Sequence, residues 1–358
     1  MGYAGKVYFT KVIETDPVET VTAKLSELVD KSRIFDVLRK KDTTAVKMHF
    51  GEEGNTGHVR CEYAGLVCRK IIDSGAKPFL TDTNTLYRGR RTTSADHIKL
   101  ALEHGFTKKA CSADVVVPDD TKKENVSDVR IDGAFFKTVR VASIFLKADS
   151  IVGLAHFKGH IMTGFGGALK NIGMGCAARE GKLAQHSEAT PIVNAARCEG
   201  CMACVRACPA DAIRPEGRRI IIDPAKCIGC ATCIAACVRG AIDVDWESGG
   251  ANIQEKMIEY AAAVLLKKKG KAAFINFATK ITKECDCLAK DDPRIIPDIG
   301  IFASTDPVSA DKACYDACIN AAGKDIFQAA HPARDGMKQL KYAQALGLGG
   351  LDYELIEL

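Results

Sequence analysis

Two runs of four cysteines with the same spacing lie in the middle of the sequence. Within each run, the cysteines are separated by two, two and three residues. The first run is Cys198, Cys201, Cys204 and Cys208, and the second is Cys227, Cys230, Cys233 and Cys237. A chain of 358 residues can bury a core without disulfide staples, so the 16 cysteines need another explanation. The regular spacing indicates a compact unit that gathers thiols as metal ligands or redox groups.

This spacing is typical of bacterial ferredoxins with two 4Fe-4S clusters, in which the fourth cysteine of each run binds the other run's cluster. We therefore predict that one cluster is bound by Cys198, Cys201, Cys204 and Cys237. The second cluster is then bound by Cys227, Cys230, Cys233 and Cys208. Two zinc sites are the alternative, because paired Cys-x-x-Cys motifs also bind zinc. Two matching runs favour iron–sulfur clusters, and with them electron transfer as part of the function.

Charge and hydropathy exclude several classes of function. The 50 basic and 45 acidic residues leave a formal charge of +5, and no basic run is longer than residues 267–269. We therefore expect no nucleic-acid partner. The N-terminus lacks the apolar region of a signal peptide, and the longest uncharged apolar stretch, near 261–266, is too short to span a bilayer. We expect a cytoplasmic protein without a membrane segment.

The sequence on both sides of the cysteine runs alternates between strand-like and helix-like patterns. Strands are predicted at 6–12, 44–50, 77–81, 150–155, 272–277 and 299–303. Helices are predicted between and after them, including 140–147 and 333–346. The alternation predicts an α/β fold, with a mostly parallel sheet and helices on both faces. A small α+β ferredoxin-like domain at 188–247, with one arm of a hairpin at 218–223, interrupts an α/β domain formed by 1–187 and 248–358.

Polar side chains and glycines follow several of the predicted strands. Ligands bind beyond the carboxyl ends of parallel strands, so we expect these residues to converge on one cleft. The predicted catalytic residues are His49, Glu52, His156, Lys158 and His160. The predicted cofactor-binding or ligand-binding residues are Lys47, Asn55, Asn84, Arg88, Gly166, Gly167 and Lys170.

Several of these strand-end residues also have structural interpretations. Gly166 and Gly167 open a predicted helix whose N-terminus could hold an anion, but the segment matches neither common phosphate-binding motif. Arginines near Arg88 are as typical of a surface loop as of an anion site. Residues 304–307 follow the predicted strand at 299–303 and are interpreted as a helix N-cap with a proline in the first turn.

Cys285 and Cys287 form a separate Cys-x-Cys motif. In an extended segment, residues two apart point to the same face, so the two thiols could bind one metal or form a redox pair. Cys176 is a candidate third ligand, and a histidine of the cleft a fourth. The alternative is a pair of reduced, partly buried cysteines.

The chain resembles the iron–sulfur center proteins of the domain-of-unknown-function 362 family. The resemblance covers nearly the whole chain and depends on several short motifs: Lys47-x-His49-Phe50-Gly51-Glu52-x2-Asn55, residues 81–85, residues 157–160, residues 168–171, Cys285-Asp286-Cys287, residues 298–301 and residues 306–308. It implies the insertion of a ferredoxin-like unit between residues 171 and 285, but no particular reaction.

Together, these features predict an iron–sulfur oxidoreductase. A ferredoxin or a similar redox partner would deliver low-potential electrons to two 4Fe-4S clusters, which pass them to a metal or cofactor in the α/β cleft. Lysines and arginines of the cleft would bind a small anionic substrate, and Glu52 or a histidine would supply protons. The alternative is a non-catalytic protein for electron transfer or for metallocofactor assembly.

Overall fold

The computed structural model describes residues 4–87, 89–186, 191–227, 232–243 and 252–358. Its strands are β1 (Gly5–Lys11), β2 (Thr43–Lys47), β3 (Lys77–Thr81), β4 (Val115–Val116), β5 (Val126–Arg130), β6 (Thr138–Ala142), β7 (Ser150–His156), β8 (Lys158–His160), β9 (Gly164–Gly166), β10 (Ile192–Val193), β11 (Ile213–Glu216), β12 (Arg219–Ile222), β13 (Ile242–Asp243), β14 (Ala272–Ala278), β15 (Gly300–Ser304) and β16 (Tyr353–Glu357).

The α-helices connect these strands. They are α1 (Val18–Ser32), α2 (Cys61–Asp73), α3 (Ser94–Glu103), α4 (Lys108–Cys111), α5 (Ser143–Lys147), α6 (Ala168–Gly173), α7 (Arg179–His186), α8 (Ala203–Ala207), α9 (Thr232–Ala236), α10 (Ile253–Leu265), α11 (Pro307–Ala322), α12 (Ile326–Ala330) and α13 (Met337–Ala345). Short 3-10 turns lie at Ile34–Val37, Lys123–Asn125 and Leu266–Lys268.

An eight-stranded, mostly parallel sheet forms the centre of the molecule, as the sequence predicts. Its strand order is β16-β1-β15-β14-β7-β2-β3-β4. Alternate side chains of one strand enter different cores: Ile151 of β7 packs in one core and Val152 in the other. The first core includes side chains of α6, α10 and α11, and the second includes side chains of α1 and α2. Both faces are therefore covered by helices, which is the α/β arrangement.

Strand β15 runs opposite to its neighbours. It pairs antiparallel with both β14 and β1, so Ser304 lies beside Phe274, near the amino end of β14. The expectation that residues 304–307 join the cleft at the carboxyl ends is therefore wrong. Their interpretation as a helix cap is confirmed, because Asp306 accepts hydrogen bonds from the N–H groups of Val308 and Ser309, both at 2.9 Å.

Two helix predictions differ from the structure. Residues 138–142 are strand β6, paired antiparallel with β5, and the helix begins only at Ser143. Val139 and Val141 are fully buried, and this alternation favours the strand. The helix predicted at 333–346 begins at Met337, with a separate short helix at Ile326–Ala330 before it.

The described part of the cysteine-rich region is built from short elements. Strands β11 and β12 form an antiparallel hairpin, which confirms the predicted hairpin arm, and β10 pairs with β13. Its core contains the buried cysteines Cys204, Cys233 and Cys237. Cys230 lies outside the described residues. Across the described part of the chain, no helix has the length and apolar character needed to cross a membrane.

A cavity at the carboxyl ends of the parallel strands

A cavity of about 870 Å³ lies where β2, β3, β7 and β14 end. The five predicted catalytic residues, His49, Glu52, His156, Lys158 and His160, all line it. Lys47, Gly166, Gly167, Lys170, Cys285 and Cys287 line it as well. Parallel strands present their carboxyl ends at one edge, which explains why segments far apart in sequence meet here.

Three predicted site residues lie elsewhere, and a fourth is not described. The amide of Asn55 donates to the carbonyl oxygen of Lys290 at 3.2 Å, beside a smaller cavity. Asn84 donates to Ser94 Oγ at 2.9 Å and fixes its own loop. Cys176 is buried in the core, where burial raises the pKa of its thiol to about 12. Arg88 lies outside the described residues.

Lys47 is held in an internal network. Its ammonium lies 2.9 Å from Asp82 Oδ1 and donates to Asn171 Oδ1 at 2.8 Å. Burial alone raises the pKa of Asp82, but the charges of Lys47 and its neighbours lower it overall. Asn171 also donates to the carbonyl oxygen of Lys47 at 2.9 Å, so α6 is tied to the end of β2. Lys47 therefore stabilises the wall rather than offering a free charge.

A second buried ion pair joins Glu52 to Arg91. Arg91 Nε donates to Glu52 Oε2 at 2.9 Å, and another guanidinium nitrogen lies 2.7 Å from His49 Nε2. The N–H of Gly51 donates to His49 Nδ1 at 2.9 Å. Burial, followed by the charge of Arg91, lowers the pKa of His49. The predicted proton donor Glu52 is thus already bound to an arginine, and Arg91 is not free to bind a ligand.

Asp286 binds two predicted catalytic residues. Its carboxylate lies 2.9 Å from His156 Nδ1 and 3.0 Å from Lys158 Nζ. His156 Nε2 lies 2.8 Å from the carbonyl oxygen of Thr279. Burial alone raises the pKa of Asp286, but His156 and Lys158 lower it well below the usual range. This network fixes the segment after β14 to the end of β7.

The thiols of Cys285 and Cys287 are in hydrogen-bond contact with each other. The N–H of Leu288 donates to the carbonyl oxygen of Cys285 at 3.2 Å, so the segment turns and is not extended as predicted. The hydrogen bond from Cys285 lowers the pKa of Cys287; burial opposes this effect, whereas Lys170 and His49 reinforce it. The same hydrogen bond, together with burial, raises the pKa of Cys285. The two thiols thus differ, and the lower pKa belongs to Cys287.

The N-terminus of α6 is occupied by a side chain of the protein. Asp311 accepts hydrogen bonds from the N–H groups of Ala168 and Leu169 at 2.7 and 2.9 Å. Burial raises the pKa of Asp311 to about 6, although these donors oppose the shift. The place that the sequence assigns to a bound anion is thus taken by Asp311. A Cβ atom at Gly167 would lie 2.3 Å from Asp311 Oδ1, so this glycine makes room for the carboxylate.

Lys170 differs from Lys47 and Lys158, two other lysines of the cavity. Within the described ranges, no carboxylate lies at ion-pair distance from its ammonium, whereas Lys47 and Lys158 are each paired with an aspartate. Burial, followed by the charge of Lys170, lowers the pKa of His160 well below its usual value. His160 Nδ1 accepts from the N–H of Met162 at 3.1 Å, so the neutral ring carries its proton on Nε2. Lys170 is the cationic group most available to a ligand.

Several residues of this network were not predicted from the sequence. Lys182 lines the cavity and donates to the carbonyl oxygen of Asn84 at 2.6 Å, and burial lowers its pKa to about 8. Tyr87 donates to the carbonyl oxygen of Cys287 at 3.2 Å. Lys182 lies on helix α7 and belongs to no recognisable sequence motif, so the sequence around it gives no reason to select it. Asp286 had a signal, since it lies between two cysteines of a cavity loop.

The cysteine-rich core adjoins the cavity. Leu86 lines the cavity and also packs in the core that contains Cys204, Cys233 and Cys237. Leu183, which follows Lys182 on α7, packs in the same core. Among the described residues, no three histidine, cysteine or acidic side chains converge in a metal-binding arrangement.

The chain was compared with solved structures, with curated proteins and with models of protein families. A crystal structure of a protein from Thermotoga maritima is 13% identical, with a TM-score of 0.45, over 86% of this chain and 59% of that chain. The lactate racemase apoprotein from Thermoanaerobacterium thermosaccharolyticum is 14% identical, with a TM-score of 0.36, over 76% of this chain and 50% of that chain. The chain therefore spans less than two thirds of either structure. No curated protein matches significantly.

A family model described as "Domain of unknown function (DUF362)" matches residues 44–316. This match covers the loops that form the cavity and the two cysteine runs. Because it spans well over half of the sequence, the chain belongs to the DUF362 family.

Proposed function

We propose that the protein is an iron–sulfur oxidoreductase that passes electrons from two 4Fe-4S clusters to the cavity, where a small anionic substrate is reduced. The packing of Leu86 carries this proposal. Leu86 lines the cavity and belongs to the same hydrophobic cluster as Cys204, Cys233 and Cys237, three of the eight cysteines in the two runs. A redox unit and a cavity that share a side chain are suited to electron transfer over a short distance.

Two described cysteines from different runs lie close to each other, as the predicted ligand sets require. Burial raises the pKa of the Cys204 thiol, and its neighbours Cys237 and Cys201 raise it further. Cys237 belongs to the second run, so this proximity supports the exchange of the fourth ligand between runs. Cys198, Cys201, Cys204 and Cys237 would hold one cluster, and Cys208, Cys227, Cys230 and Cys233 the other. Each bound cluster would supply single electrons at low potential.

The last cysteine of each run accepts a hydrogen bond from a backbone N–H group, and the two hydrogen bonds have the same spacing. The N–H of Ala212 donates to Cys208 Sγ at 3.3 Å, and the N–H of Ala241 donates to Cys237 Sγ at 3.1 Å. In both cases the donor lies four residues after the cysteine. Hydrogen bonds of this kind stabilise a thiolate and tune the potential of a cluster bound to it. Their repetition in both runs favours two equivalent clusters over two unrelated thiol groups.

The cavity contains the groups that an anionic substrate requires. The unpaired ammonium of Lys170 would bind its negative charge, and His160 would donate a hydrogen bond from Nε2. The ion pairs around Asp82, Glu52 and Asp286 would keep these groups in place. Such fixed polar groups exceed what an electron carrier needs, which favours an enzyme over a carrier.

A metallocofactor-assembly protein is the second candidate. The contact between Cys285 and Cys287 supports it, because two thiols could hold a metal in transit. The described residues add no third ligand in a suitable arrangement. We favour the oxidoreductase because the cavity holds fixed ion pairs around the ammonium of Lys170, which a metal in transit does not require.

The proposal can be tested on protein that is purified without oxygen. We expect about eight iron and eight sulfide ions per chain, and electron paramagnetic resonance signals after reduction with dithionite. Cys204→Ala should lose about half of the iron, whereas Cys318→Ala, at a core position away from the cavity, should lose none. The reduced protein should then be reoxidised by members of a panel of small 2-oxo acids and other anions. Zinc in place of iron would overturn the cluster assignment, and reoxidation by none of the anions would favour the assembly role.

A further inference from the structure

The Cys-x-Cys motif lies where electrons and a ligand would meet. Both thiols line the cavity, and they lie two residues apart on a turn closed by the N–H of Leu288. Cys285 is buried, whereas Cys287 is partly exposed toward the cavity. A small molecule that enters the cavity therefore reaches Cys287 first.

The turn that carries the thiols is anchored on both sides. The hydroxyl of Tyr87 donates to the carbonyl oxygen of Cys287, and the carboxylate of Asp286 is bound by His156 and Lys158. These contacts hold the segment at Asp286 and at the carbonyl of Cys287, and both cysteines are free of a disulfide. A preorganised pair of free thiols is the arrangement that an intramolecular disulfide requires.

Cationic and polar groups surround Cys287. His49 and Lys170 line the same cavity as Cys287, and both lower the pKa of its thiol. Lys158 lies near both thiols. Nearby positive charge and hydrogen-bond donors favour the thiolate, which is the form that attacks disulfides.

We propose that Cys285 and Cys287 form a reversible dithiol–disulfide couple, with Cys287 as the attacking thiol and Cys285 as the resolving thiol. The proposal deepens the function proposed above, since the two clusters would be the source of the electrons that reduce the disulfide. Each cluster supplies one electron at a time, and a disulfide takes two electrons and two protons to become two thiols.

The oxidant is a small-molecule disulfide. The Cys287 thiolate attacks one sulfur of the small disulfide, and the first thiolate leaves. Cys285 then loses its proton and attacks Cys287 Sγ, so the protein disulfide forms and the second thiolate leaves. One protein thiol and one protein thiolate thus become a disulfide and one released proton, and the small disulfide becomes two thiolates.

A single tryptic peptide isolates the pair for the test. Trypsin cleaves after Lys283 and Lys290, which leaves both cysteines on the peptide 284–290 and no other cysteine with them. The full protein is incubated with hydroxyethyl disulfide, alkylated and digested, and the peptide is measured by mass spectrometry. We expect a form that is two hydrogen atoms lighter than the dithiol peptide and unalkylated. Dithiothreitol should restore the alkylated dithiol.

Single variants separate the two roles. Cys285→Ser should accumulate a mixed disulfide on Cys287, whereas Cys287→Ser should react at least about tenfold more slowly, because Cys285 is buried and remains a thiol. Cys61→Ser, at a half-buried position on α2 outside the cavity, should behave as the wild type. A peptide that stays dithiol in the wild-type protein would overturn the couple. Thiols that become reactive only after a chelator is added would also overturn it, in favour of a bound metal.

The source of the electrons is tested separately. Dithionite should reduce the disulfide in the cluster-loaded protein and should do so more slowly in Cys204→Ala. If the pair cycles with hydroxyethyl disulfide and dithiothreitol in a protein without iron, the couple stands and the proposed electron path fails. If the clusters are present and reducible but the peptide never becomes oxidised, the cluster assignment of the proposed function stands and the couple fails.

Discussion

Asp286 accepts a hydrogen bond from His156 Nδ1 at 2.9 Å, across 130 residues of sequence. The same carboxylate lies 3.0 Å from Lys158 Nζ, and all three side chains are almost fully buried. The contact joins the end of β7 to the segment that carries both cavity thiols. It is therefore the point at which the shape of the cavity depends most directly on one side chain.

Asp286→Asn should destabilise the protein. The substitution leaves the buried Lys158 ammonium without its counter-charge, and breaking such a pair on one side costs about 3 kcal/mol. Urea unfolding followed by circular dichroism measures the loss. Asp132→Asn is the matched control, because Asp132 is fully exposed in its pair with Lys137 and should contribute less than about 1 kcal/mol. Equal losses in both variants would contradict the assigned role of Asp286.

Lys170→Gln should weaken the binding of anions. The ammonium has no carboxylate partner within the described residues, so a ligand gains a charge-assisted hydrogen bond that glutamine replaces poorly. A loss of about 2 kcal/mol corresponds to roughly a thirtyfold increase in Kd. Calorimetric titration with phosphate and with small carboxylates measures it, with the exposed Lys109→Gln as the control. If both variants bind as the wild type does, the anion contacts other groups.

Gly166→Ala and Gly167→Ala should have different effects although they are adjacent. A Cβ atom at Gly166 would lie 2.9 Å from Cδ of Lys170, a flexible side chain that can move. This variant should keep most of its stability but bind anions less well. At Gly167 the new atom would lie 2.3 Å from Asp311 Oδ1, a carboxylate fixed by the first turn of α6. The second variant should therefore lower the thermal midpoint clearly more than the first, and the reverse order would contradict the role of Asp311.

Lys182 should make stability depend on pH in the alkaline range. Below about pH 8 the lysine is protonated in both states, so its effect is constant. Between about pH 8 and 10.4 the unfolded chain holds a proton that the folded protein has released, so stability rises with pH by up to about 3 kcal/mol. Lys182→Met should remove this rise, whereas the exposed Lys267→Met should retain it. Urea unfolding at several pH values measures the difference, and an unchanged slope in Lys182→Met would exclude this origin.

The parallel part of the sheet could be predicted because each of its strands is a short apolar run that can be recognised from the sequence alone. The strand at Lys77–Thr81 has the predicted bounds, and β2, β7 and β14 differ from the prediction by a few residues. The direction of β15 was not predicted, because a buried strand has the same pattern of apolar residues whether it runs parallel or antiparallel to its neighbours. Strand direction depends on the connection, and the segment between β14 and β15 contains no crossover helix.

The cavity residues were predicted better than their partners. His49, His156 and His160 follow strand ends, and position alone was enough to bring them together. Whether a charged group is free depends on side chains that are remote in sequence. Lys47 and Lys170 look equivalent as sequence, yet Asp82 neutralises the first and no described carboxylate neutralises the second. Such ion pairs depend on how the chain packs, and they cannot be predicted from the spacing of neighbouring residues in the sequence.

The reversed strand also has a consequence for how this fold can diverge. Because β15 returns beside β14, both ends of the segment 279–299 are attached at the same edge of the sheet. The segment connects the two strands at this edge and does not cross a face of the sheet. Its length and sequence can therefore change while the strand order stays the same. It includes Cys285, Asp286 and Cys287, the residues with the most distinctive chemistry in the cavity. We therefore expect homologous chains to differ in length on either side of the Cys285-Asp286-Cys287 motif, while the motif and the sheet stay the same.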